Sequence, residues 1–290
     1  MKTTFGLTGV ADYITLTNAL FGTASIFFLI LSVEELGSPY SADLRTKFIW
    51  ASMLCIFLSA IGDIIDGPIA RRYSKKRFLG GNLDIMSDSL SFCVAPALMM
   101  FIMFGRWGEA TPIWTFSLAA AGCWVIAAGM LRLARFQHED GSNLPYFHGL
   151  SSPGNAMLLM SSAGLIWLQP VMGFGPDLVD HGWCDVDCNK HPFFDFLILP
   201  IMFISGALMI SDRRLSKLKG GVDMKLSILQ MLLLLIGIST ALILTGLTET
   251  AIETEDLGRT GWLFFGSFLL CIYYIVKPQP PSVNVNGSEE

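Results

Sequence analysis

The chain is divided into apolar stretches of about 20 residues, near 13–33, 46–67, 84–104, 112–134, 153–172, 193–211, 225–247 and 261–276. A run of that length, wound as an α-helix, matches the roughly 30 Å hydrocarbon layer of a bilayer. Lipid offers no partner to backbone N–H and C=O groups, so each segment must close its own hydrogen-bond ladder. The composition agrees: 52% of the 290 residues are hydrophobic and 15% charged, with a mean hydropathy of +0.56, outside the habit of soluble domains. The expected fold is all-α, a polytopic membrane bundle of about eight transmembrane helices. The first stretch lacks a basic n-region and a small-residue cleavage site, so it is expected to persist as a span rather than be removed as a signal peptide.

Orientation follows from the basic residues. With the N-terminus in the cytoplasm, the inner side receives Lys2, the Arg71–Arg77 cluster, Arg132, Arg135, the Arg213–Lys225 cluster and Lys277, fourteen of nineteen Lys and Arg. That asymmetry satisfies the positive-inside rule. The opposite loops collect acidic residues, among them Glu34, Glu35, Asp177, Asp185 and Glu253. The net charge of −5 therefore hides a positive inner face, suited to a polyanionic substrate such as a nucleotide diphosphate. Nucleic acid is not implied, because the basic residues are few and tied to helix ends.

Cys55, Cys93, Cys123 and Cys271 fall in apolar spans and read as small hydrophobes. Cys184 and Cys188 differ, lying in DHGWCDVDCNKH on the outer side, where a local disulfide is expected and a metal site with His181, His191, Asp185 and Asp187 is the competing reading. The stretch 277–290 is polar and Pro-containing and is expected to be a disordered cytoplasmic tail.

Against this apolar background stands DIIDGPIARRYSKKRFLGGNLDIMSD, which carries Asp63, Asp66, Gly67, Ala70, Arg71, Gly80, Asp84 and Asp88. A carboxylate in a membrane helix costs about 2.5–3.5 kcal/mol on insertion scales, so four need a partner that offsets their desolvation. Spacings of three and four residues put each pair on one helical face, and the short Gly-containing connection makes the two helices antiparallel neighbours, so the four can converge. All-oxygen ligation selects a hard cation, and Mg²⁺ or Mn²⁺ that also binds substrate phosphates fits best. Gly67 and Ala70 leave the backbone open to a ligand, and Arg71 supplies a planar donor for a phosphate or a carboxylate. Arg72, Lys75, Lys76 and Arg77 read first as headgroup anchors.

These eight residues resemble the signature of the CDP-alcohol phosphotransferase family, each fixed position being matched. The resemblance covers about the first 210 residues, which divides the chain into a six-helix core at 1–211 and two additional transmembrane helices at 212–276. It implies an integral membrane enzyme that displaces CMP from a CDP-linked lipid by a hydroxyl acceptor. It also implies that Asp63, Asp66 and Asp84 bind metal and the CDP diphosphate. Asp88 would be the general base and a possible further ligand, and Gly67, Ala70, Arg71 and Gly80 would shape the CDP pocket. A homodimer in the cytoplasmic membrane, with its active site facing the cytoplasm, is implied likewise.

The flanks narrow the acceptor. SLSFCVAPALMM after Asp88, LRLARF at 131–136 and FHGLSSPGNA at 147–156 resemble phosphatidylserine-forming members of that family, although Cys93, Ile85 and Met86 depart from the usual wording. Serine is thus the expected acceptor, with CDP-diacylglycerol or CDP-archaeol as donor; the apolar walls do not separate acyl from isoprenoid chains. Arg132 and Arg135 are candidates for the acceptor carboxylate or a lipid phosphate, against a plainer role as helix-end anchors. A glycerol phosphate or inositol phosphate acceptor is the nearest rival, and a divalent cation transporter the rival of another class. The remaining polar residues have plainer expectations. Thr15, Thr17, Asn18 and Gly22 are assigned to helix packing, with a nucleotide contact by Asn18 as the alternative. Ser151, Ser152 and Asn155 are assigned to capping, His138 and His148 to the surface. Pro96 is expected to kink the third span, and Met99, Met100 and Met103 to face lipid or packed helices.

Overall fold

The computed structural model describes residues 9–33, 46–73, 80–105, 112–139, 146–168, 196–216, 221–246 and 254–278. The Cys184/Cys188 pair with its neighbouring histidines, Lys75, Lys76, Arg77 and the tail beyond 278 lie outside them. Helix α1 (Val10–Leu31) leads to α2 (Thr46–Tyr73); the third rod is composite, with α3 (Gly80–Asp88), a π-helical segment (Ser89–Val94) and α4 (Ala95–Phe104). Helix α5 (Pro112–Glu139), strand β1 (Tyr146–His148) and α6 (Ser152–Leu168) follow, then α7 (Ile198–Ile210), strand β2 (Arg214–Ser216), α8 (Gly221–Gly246) and α9 (Thr254–Val276). Among the described residues six rods are long and apolar enough to cross a membrane, against the eight expected, and α7 is a shorter apolar helix. The expected bundle is therefore present, and the third span starts at Gly80 rather than at 84.

Burial runs opposite to that of a soluble protein. On α1 and its C-cap Ser32 the buried residues include Asp12, Thr15, Asn18, Gly22, Ser25, Leu29 and Ser32, a three-and-four spacing that makes one stripe. Tyr13, Leu16, Leu20 and Phe27 point outward. Polar groups inside and large apolar side chains outside are what a lipid solvent demands. The stripe packs on α2 and on the third rod, where Ser25 and Ser52 share a hydrogen bond of 2.8 Å. Helix α1 opens with a local cap, the Asp12 carboxylate accepting the Gly9 N–H at 2.7 Å.

The last two helices pack on the rest through small residues. Helix α9 lies against α6 and α8, and α8 also against α2. Phe264 of α9 is fully buried, its ring 5.7 Å from that of Trp50, and a side chain at Gly164 of α6 would overlap it. Ser161 and Ser267 bridge the same crossing at 2.8 Å. Small residues and hydroxyl pairs are what allow helix backbones to approach closely in lipid.

The irregularity in the third span precedes Pro96. Through residues 89–94 the ladder steps five residues, ending with the Ala95 N–H bonded to the Leu90 carbonyl. Pro96 has no N–H, so the change back to α-helical spacing falls where no donor has to be reassigned. Met99, Met100 and Met103 below it are fully buried and pack between helices rather than facing lipid.

At the end of the bundle that carries the aspartates, β1 and β2 pair antiparallel with Phe147 opposite Leu215. Gly149 turns the chain from β1 into α6 at φ +73°, and its N–H bonds the Arg213 carbonyl at 2.8 Å. The Arg213 guanidinium in turn reaches the Val276 carbonyl at 3.1 Å, joining the end of α9 to the same corner.

Candidate functional site

Asp63 and Asp66 lie on α2 toward its C-terminal end, and Asp84 stands one turn into α3. One oxygen from each comes within 4.8 Å of the others. Asp66 is buried, 3% exposed, while Asp63 and Asp84 are half-buried. Among the described residues no other set of three His, Cys, Asp or Glu side chains converges in this way. Asp88 is four residues farther along α3, about 6 Å, within electrostatic range of all three. It closes α3 and begins the π-helical segment. The helix therefore changes its winding directly below the carboxylates, a feature found often at functional sites.

Carboxylate oxygens this close would be drawn onto one hard cation by rotation of their side chains. Three carboxylates at such separations repel unless a cation lies between them. The donor set, all oxygen and triply negative, therefore fits a hard divalent ion.

Helix α1 supplies the support that sequence reasoning missed. The Thr15 hydroxyl donates to Asp66 Oδ2 at 3.0 Å, and the Asn18 Nδ2 donates to the same oxygen at 3.4 Å. The Asn18 carbonyl is held by the hydroxyls of Ser59 at 3.2 Å and Ser91 at 3.1 Å, and the Thr15 carbonyl accepts from Ser87 at 3.1 Å. Two glycines make this possible: a side chain on Gly62 would overlap the Asn18 carboxamide, and one on Gly22 would overlap Ser91. Thr15 and Asn18 thus do more than pack helices; they orient a candidate ligand. The signal available in the sequence was the polar stripe on α1, without its address.

The other predicted residues divide. Gly67, Ala70 and Arg71 continue α2, and Gly80 opens α3, so their backbones flank the carboxylates; their side chains lie outside the described set. Arg132 and Arg135, paired in the sequence reading, differ in burial and in partner. Arg132 is 3% exposed with its guanidinium 5.4 Å from the Phe136 ring centre, so it is no surface anchor. Arg135 forms an ion pair of 2.8 Å with the exposed Asp212. Ser151 caps α6 as expected, accepting the Gly154 N–H at 3.3 Å, whereas the Asn155 side chain caps nothing. His148 is part of β1 rather than a free surface residue.

Comparison with known proteins agrees with this geometry. Residues 8–184 match the family model described as CDP-alcohol phosphatidyltransferase. The chain is 33% identical over 140 residues to a CDP-diacylglycerol--serine O-phosphatidyltransferase of Mycobacterium tuberculosis, covering 46% of this chain but only 44% of that protein. It is 31% identical over 215 residues to the Saccharomyces cerevisiae protein of that name, covering 70% and 68%. With the Methanocaldococcus jannaschii protein of the same name it shares 30% over 157 residues, 54% and 61% of the two chains. The match thus spans less than half the length of the mycobacterial relative. The converging aspartates of this chain sit within the matched region on a polytopic helical membrane scaffold, and the chain belongs to the CDP-alcohol phosphatidyltransferase family.

Proposed function

We propose that this protein transfers a phosphatidyl group from CDP-diacylglycerol, or an archaetidyl group from CDP-archaeol, to the hydroxyl of L-serine and releases CMP. The observation that carries the reading is the convergence of Asp63, Asp66 and Asp84 with Asp88 one turn beyond. The relatives named above, each described as acting on serine, support the acceptor.

Asp63, Asp66 and Asp84 would hold Mg²⁺ or Mn²⁺ together with the CDP diphosphate. Bound there, the ion supplies charge neutralisation at the diphosphate and at the departing CMP phosphate. Asp66 is kept in orientation by Thr15 and Asn18. Gly67, Ala70, Arg71 and Gly80, on the backbone next to the carboxylates, would form the CDP pocket. Asp88 takes the proton from the serine hydroxyl as that oxygen bonds the lipid-bearing phosphorus. The bond between that phosphorus and the bridging oxygen breaks, and its electron pair leaves with CMP. Arg132 is the better placed of the two arginines to meet the acceptor carboxylate or a lipid phosphate, being buried where Arg135 is ion-paired at the surface. The positive-inside pattern supports a site open to the cytoplasm, in the cytoplasmic membrane. A homodimer is the family expectation.

The test is CMP release by purified protein from labelled CDP-diacylglycerol, with Mn²⁺ and, in separate reactions, serine, glycerol 3-phosphate or inositol phosphate. Serine-dependent release that stops with chelator and returns with Mg²⁺ or Mn²⁺ is expected. Release with another alcohol and none with serine refutes the acceptor. Release that persists in chelator refutes the metal.

A further inference from the structure

The wide turn at Ser89–Val94 is gripped by its neighbours at two points. Toward α1, Ser91 fills the place of the side chain missing at Gly22, where a Cβ would overlap both its hydroxyl and its Cα, and its hydroxyl donates to the Asn18 carbonyl at 3.1 Å. Toward α5, Cys93 fills the place left by Gly129, where a Cβ would overlap its sulfur. Both side chains are fully buried. Two residues of a helix that stand two apart leave it on different faces, so the turn is held from two sides.

A wide turn of this kind is rare and tends to sit at functional sites. This one begins directly after Asp88, which stands at its N-terminal end. The direction in which the Asp88 carboxylate leaves the rod therefore follows the winding of the turn, and the winding follows what closes on it. The α1 contact is shared with the metal trio, because Asn18 also donates to Asp66 at 3.4 Å. The α5 contact is not shared, since that helix carries none of the four aspartates. The Cys93 thiol lies within electrostatic range of Asp88, so a shift of one is felt by the other.

The sulfur is enclosed between the Gly129 notch and Ser152 of α6, so its part is steric. A base has to stand within hydrogen-bond reach of the proton it takes, about 2.6–3.2 Å, and a misplacement of about 1 Å can cost about 10²-fold in rate. Overfilling or emptying the notch by one atom displaces a packed turn by a distance of that order.

We propose that Cys93 is a positioning residue for Asp88: seated in the Gly129 notch, its sulfur holds the wide turn so that the carboxylate meets the attacking hydroxyl, an assignment that rests on the transfer proposed above. The test uses the purified full chain and measures kcat and KM for serine and CDP-diacylglycerol, Mn²⁺ binding by its paramagnetic resonance signal, and melting temperature. The variants are Gly129→Ala, which overfills the notch, Cys93→Ala, which empties it, and the double variant, in which the new methyl takes the place of the sulfur. In the double variant the two Cβ positions stand 3.1 Å apart, a tight contact that a small shift relieves. Each single variant should lose about tenfold or more in kcat, with both KM values and the Mn²⁺ affinity within about twofold of wild type. The double variant should regain most of the loss. An unchanged kcat in either folded single variant overturns the assignment. So does a parallel loss of kcat and Mn²⁺ affinity that the double variant does not reverse, the mark of a general packing role. If Gly129→Ala does not fold, Cys93→Ala, which only removes an atom, decides by itself. Wild type that releases no CMP with serine refutes the transfer and the assignment with it. Normal turnover by wild type beside fully active variants removes Cys93 alone.

Discussion

Replacing Thr15 by valine tests the support of Asp66 with the least disturbance, because valine keeps the branched shape and removes only the hydroxyl. In the native protein that hydroxyl donates to Asp66 Oδ2 at 3.0 Å, in a place where the carboxylate is 3% exposed and water cannot substitute. Asn18 remains as a longer donor at 3.4 Å. A hydrogen bond to a charged group contributes about 1.5–3 kcal/mol, which at about 1.36 kcal/mol per tenfold corresponds to roughly 10- to 150-fold. Groups that orient metal ligands typically change affinity or activity by about 10- to 100-fold, the same range. The half-saturating Mn²⁺ concentration for CMP release should therefore rise about 10- to 100-fold in Thr15→Val, with activity largely recovered at saturating metal. Thr17→Val is the control, since the Thr17 hydroxyl returns to the Tyr13 carbonyl of its own helix at 2.9 Å on the exposed side. Free Mn²⁺ measured by its paramagnetic resonance signal gives the binding curve independently of turnover. A Thr15→Val protein whose half-saturating Mn²⁺ stays within twofold of wild type refutes the proposed support of Asp66.

Three further substitutions probe other parts of the structure. Asp88→Asn should lower CMP release by about 10²- to 10⁴-fold while Mn²⁺ binding by the remaining trio persists; full activity would remove Asp88 as the base. Gly62→Ala places a methyl against the Asn18 carboxamide, so it should destabilise the protein by about 1–3 kcal/mol and weaken Mn²⁺ binding, read by melting temperature and titration. Gly149→Ala forces a side chain onto φ +73° and against the Met209 carbonyl. It should cost at least about 1–2 kcal/mol in thermal unfolding, with an unchanged melting temperature as the contrary result.

The spans were legible because lipid imposes one rule on every residue of a run, and the motif because Asp63, Asp66, Asp84 and Asp88 are close in sequence. What escaped was set by distance along the chain. Thr15 and Asn18 lie 51 and 48 residues from Asp66, and no local periodicity connects a polar stripe on one helix to a carboxylate on another. The difference between Arg132 and Arg135 escaped for a related reason: near the helix end one side chain lies buried beside Phe136 while the other meets Asp212. Pro96 did mark an irregularity, but a missing donor does not say how the ladder above it closes.

The π-helical segment has a consequence for the chain's tolerance of length change. A wide turn stores one residue more than an α-helix needs, and in a regular helix one residue corresponds to about 100° of rotation. Removing a single residue between Ser89 and Val94 would let the rod relax to uniform α-helix, but only by swivelling one half against the other. Either the aspartates would keep their aim and Met99, Met100 and Met103 would be swung out of the bundle, or the reverse. The third span thus works as a fixed coupling between a reacting end and a packed end, with its phase set by one surplus residue.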